Sequence, residues 1–434
     1  MSRIKSRYLA GLAALALVAS AAGCASGSSG PSGAGGSSGA AAASTPGVTS
    51  NQIVVGANVP LSGPAAAYAS IPAATKAYFD YVNAHGGVYG RKIVYKALDD
   101  GYDPSKTPAV IRQLVLQDHV FAIVGGIGTP TDASVLKYLT TNKVPDLFVG
   151  TGASVFNQPS VYPYTFGSIP DYVLDGKVTA QYAKTSRPGE KVCAFTQDDD
   201  SGPSYLQGVQ AILGPSGLAS KQSYEPTNTN IAPAIGAFKG AGCQVILSNA
   251  IAPFNALAIA GAAQAGMHAQ WVLSTVGNDY DTMAALLKQA AGPLLNGVVA
   301  DNFAPVPGDT SNPWVALWTK ISAKYNASAP VDAASMIGYM IGYMFTEALF
   351  KAGQDLTRPG IINAMQDGRW TSPGLGPLRF SATDHAGLGG LQLAKIEGGK
   401  PVFFGPVYTG DDGSGPATAV TSAPPVPPAS GIPS

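Results

Sequence analysis

Short apolar runs alternate with longer amphipathic segments along most of the chain. QIVVGANV, from Gln52, reads as a strand; Ala66 to Ala84 has helical spacing and stops at Gly86-Gly87; KIVYKALDD reads as a second strand. A helix is predicted after Asp103-Pro104, then the strand VFAIVGG, a helix from about Thr131, and the strand VPDLFVG. The rhythm restarts after YPYTFGSIPD, with strands at KVCAFTQ, KQSYEP, CQVILSN, QWVLST and GVVADN and helices between them. Strand and helix in strict alternation imply parallel sheets covered on both faces with right-handed crossovers, so the expected fold class is α/β with two doubly wound units of similar size.

Beyond the second unit the pattern changes. Two longer helices are predicted, Asn312 to Tyr325 and Ala333 to Ala352, and LQLAKIEGGKPVFFGPVY reads as a late hairpin around Gly398-Gly399. Residues 411–434 are rich in Pro, Ala and Ser and predict a disordered tail.

The opening residues follow another logic. In MSRIKSRYLAGLAALALVASAAGCAS a basic start precedes a short apolar run and small residues that end at Gly23-Cys24, the pattern of an export signal that is cut away. The run is short for a membrane span. Ala21-Ala22-Gly23 before Cys24 resembles the lipobox of bacterial lipoproteins, although that pattern prefers leucine where Ala21 stands. Residues 1–23 are therefore expected to be a lipoprotein signal, Cys24 the lipid attachment site, and the Gly/Ser-rich stretch 24–50 a flexible tether that holds a folded body clear of a membrane.

Charge adds an exclusion. The chain has 26 basic and 26 acidic residues, and loss of Arg3, Lys5 and Arg7 with the signal would leave 23 against 26. Such a balance gives no footing for a nucleic-acid backbone. Cys193 and Cys243 remain after lipidation, each near the start of an apolar run; a disulfide and two buried thiols are both open readings in an oxidising compartment. With 3 Cys and 4 His and no CxxC or HExxH spacing, no metal site and no cofactor is expected.

Open parallel sheets place ligands beyond the carboxyl ends of their strands. The loops there are PLSGPAAAY, GGIGTPTD, GTGAS, TQDDDSG, SNAIAPF and STVGNDYD, rich in small hydroxyls and bare N–H groups that suit a compact anion. They lack the His or facing carboxylates that general acid–base chemistry needs. A dinucleotide fold fails because Thr131 stands where the third glycine should follow Gly126 and Gly128, and no GxSxG elbow occurs in the mature domain beyond the tether. The protein is not expected to be an enzyme.

PLSGPAAAY, VNAHGGVYGRKIVYKALDDGYDP and AIVGGIGTPTDASV together resemble the periplasmic binding proteins related to the leucine/isoleucine/valine-binding receptors of ABC importers. The resemblance runs from about Gln52 to Tyr408 and is most specific in the block from Asn83 to Lys92 and the Asp99-Asp100 pair that follows, which reads as structural punctuation. It implies two lobes joined by three crossings, placed near Gly167, Ala304 and Gly374, with lobe 1 from 51–167 and 305–374 and lobe 2 from 168–304 and 375–410. A small-molecule ligand is enclosed as the lobes hinge shut, and a membrane permease reads the closure. The expected protein is monomeric and lipid-anchored on the outer face of the cytoplasmic membrane. A clamp that reports to a membrane partner without transport is the alternative.

By position within the resemblance, Thr129 receives a ligand carboxylate, Gly152 and Ser154 add backbone and hydroxyl contacts, and Tyr68 covers the ligand's side chain. In the second lobe Ser201 stands where an aromatic is often found, Ala250 near an expected tyrosine, and Thr275 near the glutamate that pairs a ligand ammonium. A buried ammonium without a carboxylate is costly. Asp279, or one of Asp198 to Asp200, could substitute for that glutamate from a neighbouring turn, although such acids also read as helix caps. The residues thus favour a small carboxylate or amide over a branched-chain amino acid, and Asp279 or a second-lobe Glu pointing into the cleft would reverse that preference.

Overall fold

The computed structural model of the chain describes residues 45–329, 331–410, 413–420 and 425–434. The expected signal and Cys24 lie outside the described residues. Residues 45–50, assigned to the tether, are part of the fold: Val54 N donates to Gly47 O (2.7 Å), and the Arg91 guanidinium donates to Thr49 O (2.9 Å).

The first sheet is parallel throughout. It comprises β1 (Gln52–Val59), β2 (Lys92–Asp99), β3 (Ile123–Val124), β4 (Asp146–Val149) and β5 (Thr165–Gly167), in the order β2-β1-β3-β4-β5. In the second, β6 (Val192–Gln197), β7 (Ser220–Tyr224), β8 (Val245–Asn249), β9 (Gln270–Leu273) and β10 (Val299–Asn302) run parallel in the order β10-β9-β8-β6-β7. Every residue of β6 and of β8 is buried, as two-sided helical cover requires. Cys193 on β6 and Cys243, just before the neighbouring β8, are joined by a disulfide with Cα atoms 5.8 Å apart.

The chain crosses between the sheets directly after β5, since helix Tyr172–Ser186 packs on helix Ser201–Leu213 of the second lobe. It returns after β10, and helices Pro313–Tyr325 and Ala333–Ala352 pack on helix Ser70–Ala84 of the first. The third crossing departs from expectation. Leu375 N donates to Phe303 O (2.8 Å), but a hairpin of β11 (Leu378–Ser381) and β12 (Asp384–Leu388) follows and packs against β5, where His385 stacks on Phe166 at 3.7 Å. Residues 378–388 therefore belong with the first lobe. The passage to the second comes at Gly389-Gly390, where a Cβ on Gly376 would lie 2.2 Å from the Gly390 Cα, so only bare backbones can meet. From there β13 (Leu391–Glu397) pairs antiparallel with β10, and β14 (Lys400–Thr409) with β13.

The C-terminal segment corrects a second expectation. Composition predicts disorder, yet β15 (Thr418–Ala419) pairs with β14, and the residues beyond Pro425 lie on the first lobe. Tyr78 donates to Gly431 O (2.7 Å), Tyr81 to Ser430 O (2.6 Å) and the Trp314 indole to Pro425 O (2.8 Å). The helices supply buried donors that need acceptors, and the carbonyls of any segment can meet them.

A buried acid cluster ties the loops of the first sheet together. The Asn58 amide donates to Asp100 (3.2 Å) and Asp132 (2.8 Å), which ties the ends of β1 and β2 to the helix after β3. Asp132 and Asp146 are both buried, and each keeps one oxygen without a hydrogen-bond partner. Burial, then repulsion from Asp146, pushes the Asp132 carboxyl well up, and burial pushes Asp146 up to about 7. A carboxyl whose folded pKa lies above its unfolded value of 3.8 stabilises the fold at low pH and loses that contribution as pH rises toward 7. Asp146→Asn removes the titration. Its melting temperature, followed by calorimetry from pH 4.5 to 7.5, should fall less steeply than that of the wild type, and the variant should be the more stable at pH 7.5. Parallel curves would mean that Asp146 does not titrate in the fold.

Candidate functional site

The loops at the carboxyl ends of the two sheets face one another and are in hydrogen-bonded contact. Tyr68, in the turn after β1, donates to Val276 O (2.7 Å) and accepts from Ala252 N (3.3 Å), both in the second lobe. Gln197, at the end of β6, donates through Nε2 to the Tyr102 hydroxyl (3.1 Å). Ser154 N donates to Ser204 Oγ (3.0 Å). These three latches hold a closed clamp.

Tyr102 belongs to the ALDDGYDP stretch, read from sequence as punctuation. Part of it is: Asp99 accepts from Leu61 N (2.9 Å) and Ser62 N (3.1 Å), and Asp100 accepts from Tyr102 N (2.9 Å) and the Thr107 hydroxyl (3.0 Å). The same turn, however, sets Tyr102 at φ +59°, a left-handed conformation that tyrosine seldom adopts and that accompanies the aim of its phenol at the other lobe. A tyrosine held between two hydrogen-bonding aspartates was the signal in the sequence. Burial raises the Tyr102 and Tyr68 hydroxyls above their ordinary range, so both are neutral donors and acceptors at physiological pH.

Between the lobes lies a cavity of about 100 Å³ that opens to solvent at one side. Its walls are mainly apolar: Ile71, Ile127, Ile169, Val276, Phe303 and Ile337 stand among them. Polar atoms gather on the second-lobe side, at Thr275, Asn278, Asp279 and Asn302. The mouth widens into a vestibule that adds Asp281, Asp309 and Lys400.

Of the residues singled out in the sequence, Tyr68 and Thr275 line this cavity, and Asp279 joins them. Thr275 donates to the buried Asp175 (2.8 Å) of helix Tyr172–Ser186, a carboxylate that lies behind the cavity wall and was not identified from sequence. Asp279 caps helix Tyr280–Leu287, accepting from Asp281 N (3.0 Å), Thr282 N (3.3 Å) and the Thr282 hydroxyl (2.8 Å). Burial outweighs those donors and raises its pKa above the usual carboxylate value. Asp199 turns away from the cavity to hold Ser201 N (2.9 Å) and Gln197.

Thr129, Gly152, Ser154, Ser201 and Ala250 are not in the cavity wall. The Thr129 hydroxyl is paired with that of Thr151 (2.7 Å). Tyr172 N donates to Gly152 O (2.8 Å) and the Tyr172 ring lies against Gly152, so in the closed clamp an aromatic side chain covers a position expected to receive a carboxylate. Gly152 is required there for space, because a Cβ would stand 2.0 Å from Pro170 O. Ser201 donates to Asp199 (2.5 Å), and Ala250 O accepts from Asn255 (2.9 Å).

Among the described residues no cluster of ligating side chains suits a metal ion, and no helix is long and apolar enough to cross a membrane. Tyr68→Phe should remove a partner from both Val276 O and Ala252 N, at about 1 kcal/mol of closure free energy. Small-angle scattering of the ligand-free variant should give a larger radius of gyration than the wild type. An unchanged curve would show that this hydroxyl does not hold the lobes together.

Comparison with known proteins places this architecture. Residues 52–400 match the family model described as periplasmic binding protein. A relative from Brucella melitensis, Leu/Ile/Val-binding protein homolog 3, is 24% identical over 365 residues, which cover 81% of this chain and 93% of the relative. The fold is shared with a fatty acid ABC transporter substrate-binding protein from Thermomonospora curvata (TM-score 0.73, 23% identity, 85% of this chain and 95% of the other). It is shared equally with a branched chain amino acid ABC transporter protein from Thermus thermophilus with bound valine (TM-score 0.73, 16% identity, 83% and 97%).

Proposed function

The chain belongs to the periplasmic binding protein family, and from that premise we propose that it is an extracytoplasmic solute receptor of an ABC importer. It captures a small ligand with an apolar body between its lobes and presents the closed clamp to a membrane permease. The observation that carries this reading is the apolar cavity beside which Tyr68, Tyr102 and Ser154 of the first lobe are bonded to Val276, Gln197 and Ser204 of the second. A ligand that touches both walls favours the closed state by its differential affinity, and that shift is the signal a permease can read.

The Brucella relative carries a branched-chain amino-acid name, and the two solved structures carry fatty-acid and valine ones. All three ligand types have a hydrocarbon body, which the isoleucines and Phe303 of this cavity suit. They differ in head group. Asp279 in the cavity wall supports a ligand that bears an amine, and so favours an amino-acid-like solute over the plain carboxylate suggested by Ala250 and Thr275.

The test is thermal shift of the full chain against branched-chain and other amino acids, short amides, and aliphatic and aromatic carboxylates. A cognate ligand at 100 times its dissociation constant should add about 2.7 kcal/mol of stability. Failure of every class would refute the receptor reading.

Cys24 is proposed as the lipid anchor. Cys24→Ala should move the protein from the membrane pellet to the soluble fraction on ultracentrifugation and leave the ligand-induced shift unaltered. A variant that stays in the pellet would refute the anchor.

A further inference from the structure

The donors that line the cavity are largely spoken for, and this constrains the head group of whatever binds. The Tyr68 hydroxyl donates to Val276 O and the Thr275 hydroxyl to Asp175. Both amide protons of Asn278 are used, on Asp301 O (2.7 Å) and Asn302 Oδ1 (2.9 Å). One Asn302 amide proton goes to Ala300 O (3.3 Å).

Acceptors, by contrast, remain. Asn278 Oδ1 receives no hydrogen bond from the described residues, and Asp279 Oδ2 receives only that of the Thr282 hydroxyl, leaving a lone pair. No lysine or arginine among the described residues lines the cavity; Lys400 stands in the vestibule.

The electrostatics point the same way. Helix Ala333–Ala352 begins at the cavity wall, and an exposed helix start would draw an anion. Here the start is already satisfied by Asp332, whose carboxylate accepts from Ser335 N (2.6 Å). Asp279 in the wall and Asp281 and Asp309 at the mouth thus line this space with a single cation among the described residues, Lys400, while Asp332 holds the nearby helix start. A bare carboxylate entering this space would face like charge and find few free donors.

We propose that the ligand presents a hydrogen-bond donor, a primary ammonium or a carboxamide, to Asn278 Oδ1 and Asp279, with a branched or aromatic hydrocarbon body against Ile71, Ile127, Phe303 and Ile337. This assignment rests on the reading of the cavity as the ligand site. It separates the solute of this chain from amine-free carboxylates.

Four probes with one branched body test it: isoamylamine, isovaleramide, isovalerate and leucine, each titrated into the full chain by calorimetry and thermal shift at 0.15 M salt. Isoamylamine and isovaleramide should bind and isovalerate should not. Asp279→Asn, which preserves the helix cap, should weaken isoamylamine about tenfold and isovaleramide less than threefold. Ile337→Trp, which fills the cavity, should abolish both; Val306→Trp, in a loop of the same wall, replaces it if circular dichroism shows the first variant misfolded.

Binding of isovalerate, lost in the filled variant, would overturn the head-group assignment and leave the site in place. Binding of leucine alone would overturn it too, since a carboxylate would then be required. Binding that survives both cavity-filling variants would refute the site itself, and the absence of binding by every probe would refute the assignment for this body.

Discussion

Parallel pairing is the constraint on which the rest of this molecule depends. A parallel strand can be followed by its neighbour only through a crossover on the sheet's face, so all the loops at one edge follow strand ends of the same sense. The first sheet collects Tyr68, Asp100, Tyr102, Thr129 and Gly152 along one edge in this way, and the second collects Gln197, Asn249, Ala250 and Thr275. Crossing from one sheet to the other directly after β5 and β10 turns these two edges toward each other. Neither edge is a site alone; the cavity exists because two sheets each obey the same rule.

What joins the edges is a set of neutral hydroxyls and amides rather than ion pairs. Such bonds are modest in free energy, because water replaces each of them when the lobes part. Buried charge would make the closed state either much costlier or much harder to leave. The charged groups near the interface are instead anchored within their own lobe, as Asp99 and Asp100 are in the first and Asp199 and Asp279 in the second. The arrangement leaves the balance between open and closed within reach of a ligand of ordinary affinity.

The fold was legible where burial is two-sided. Strands such as VCAFTQ and VILSN are apolar without alternation, and turn residues bracket them, so period and length suffice. TFG at β5 is too short to register, and the hairpin Leu378–Leu388 carries its core contacts on a few scattered residues such as Phe380 and His385. The site was less legible. Tyr68 and Thr275 were reached through resemblance and Asp279 through its charge, but Ile71, Ile127, Ile169, Phe303 and Ile337 come from five separate stretches in which each reads as ordinary core. Tyr172 went unnoticed for a like reason: no local pattern says that a helix start in one lobe will lay an aromatic ring against a glycine at the carboxyl edge of the other.

The C-terminal segment gives the clamp a fourth link. Its strand at Thr418–Ala419 is fastened to the second lobe, and Pro425, Ser430 and Gly431 are fastened to the first by Trp314, Tyr81 and Tyr78. Residues 420–424 alone join the two moorings, a length that can extend to about 20 Å. Two bodies connected by hinges at one side and a short stay at another have a bounded stroke: they swing until the stay is taut, and no farther unless a mooring is released. The span of the open state is then set by the number of residues between Ala419 and Pro425 as well as by the flexibility of the crossings, so insertions or deletions there would retune the reach of the clamp without touching a residue of the cavity.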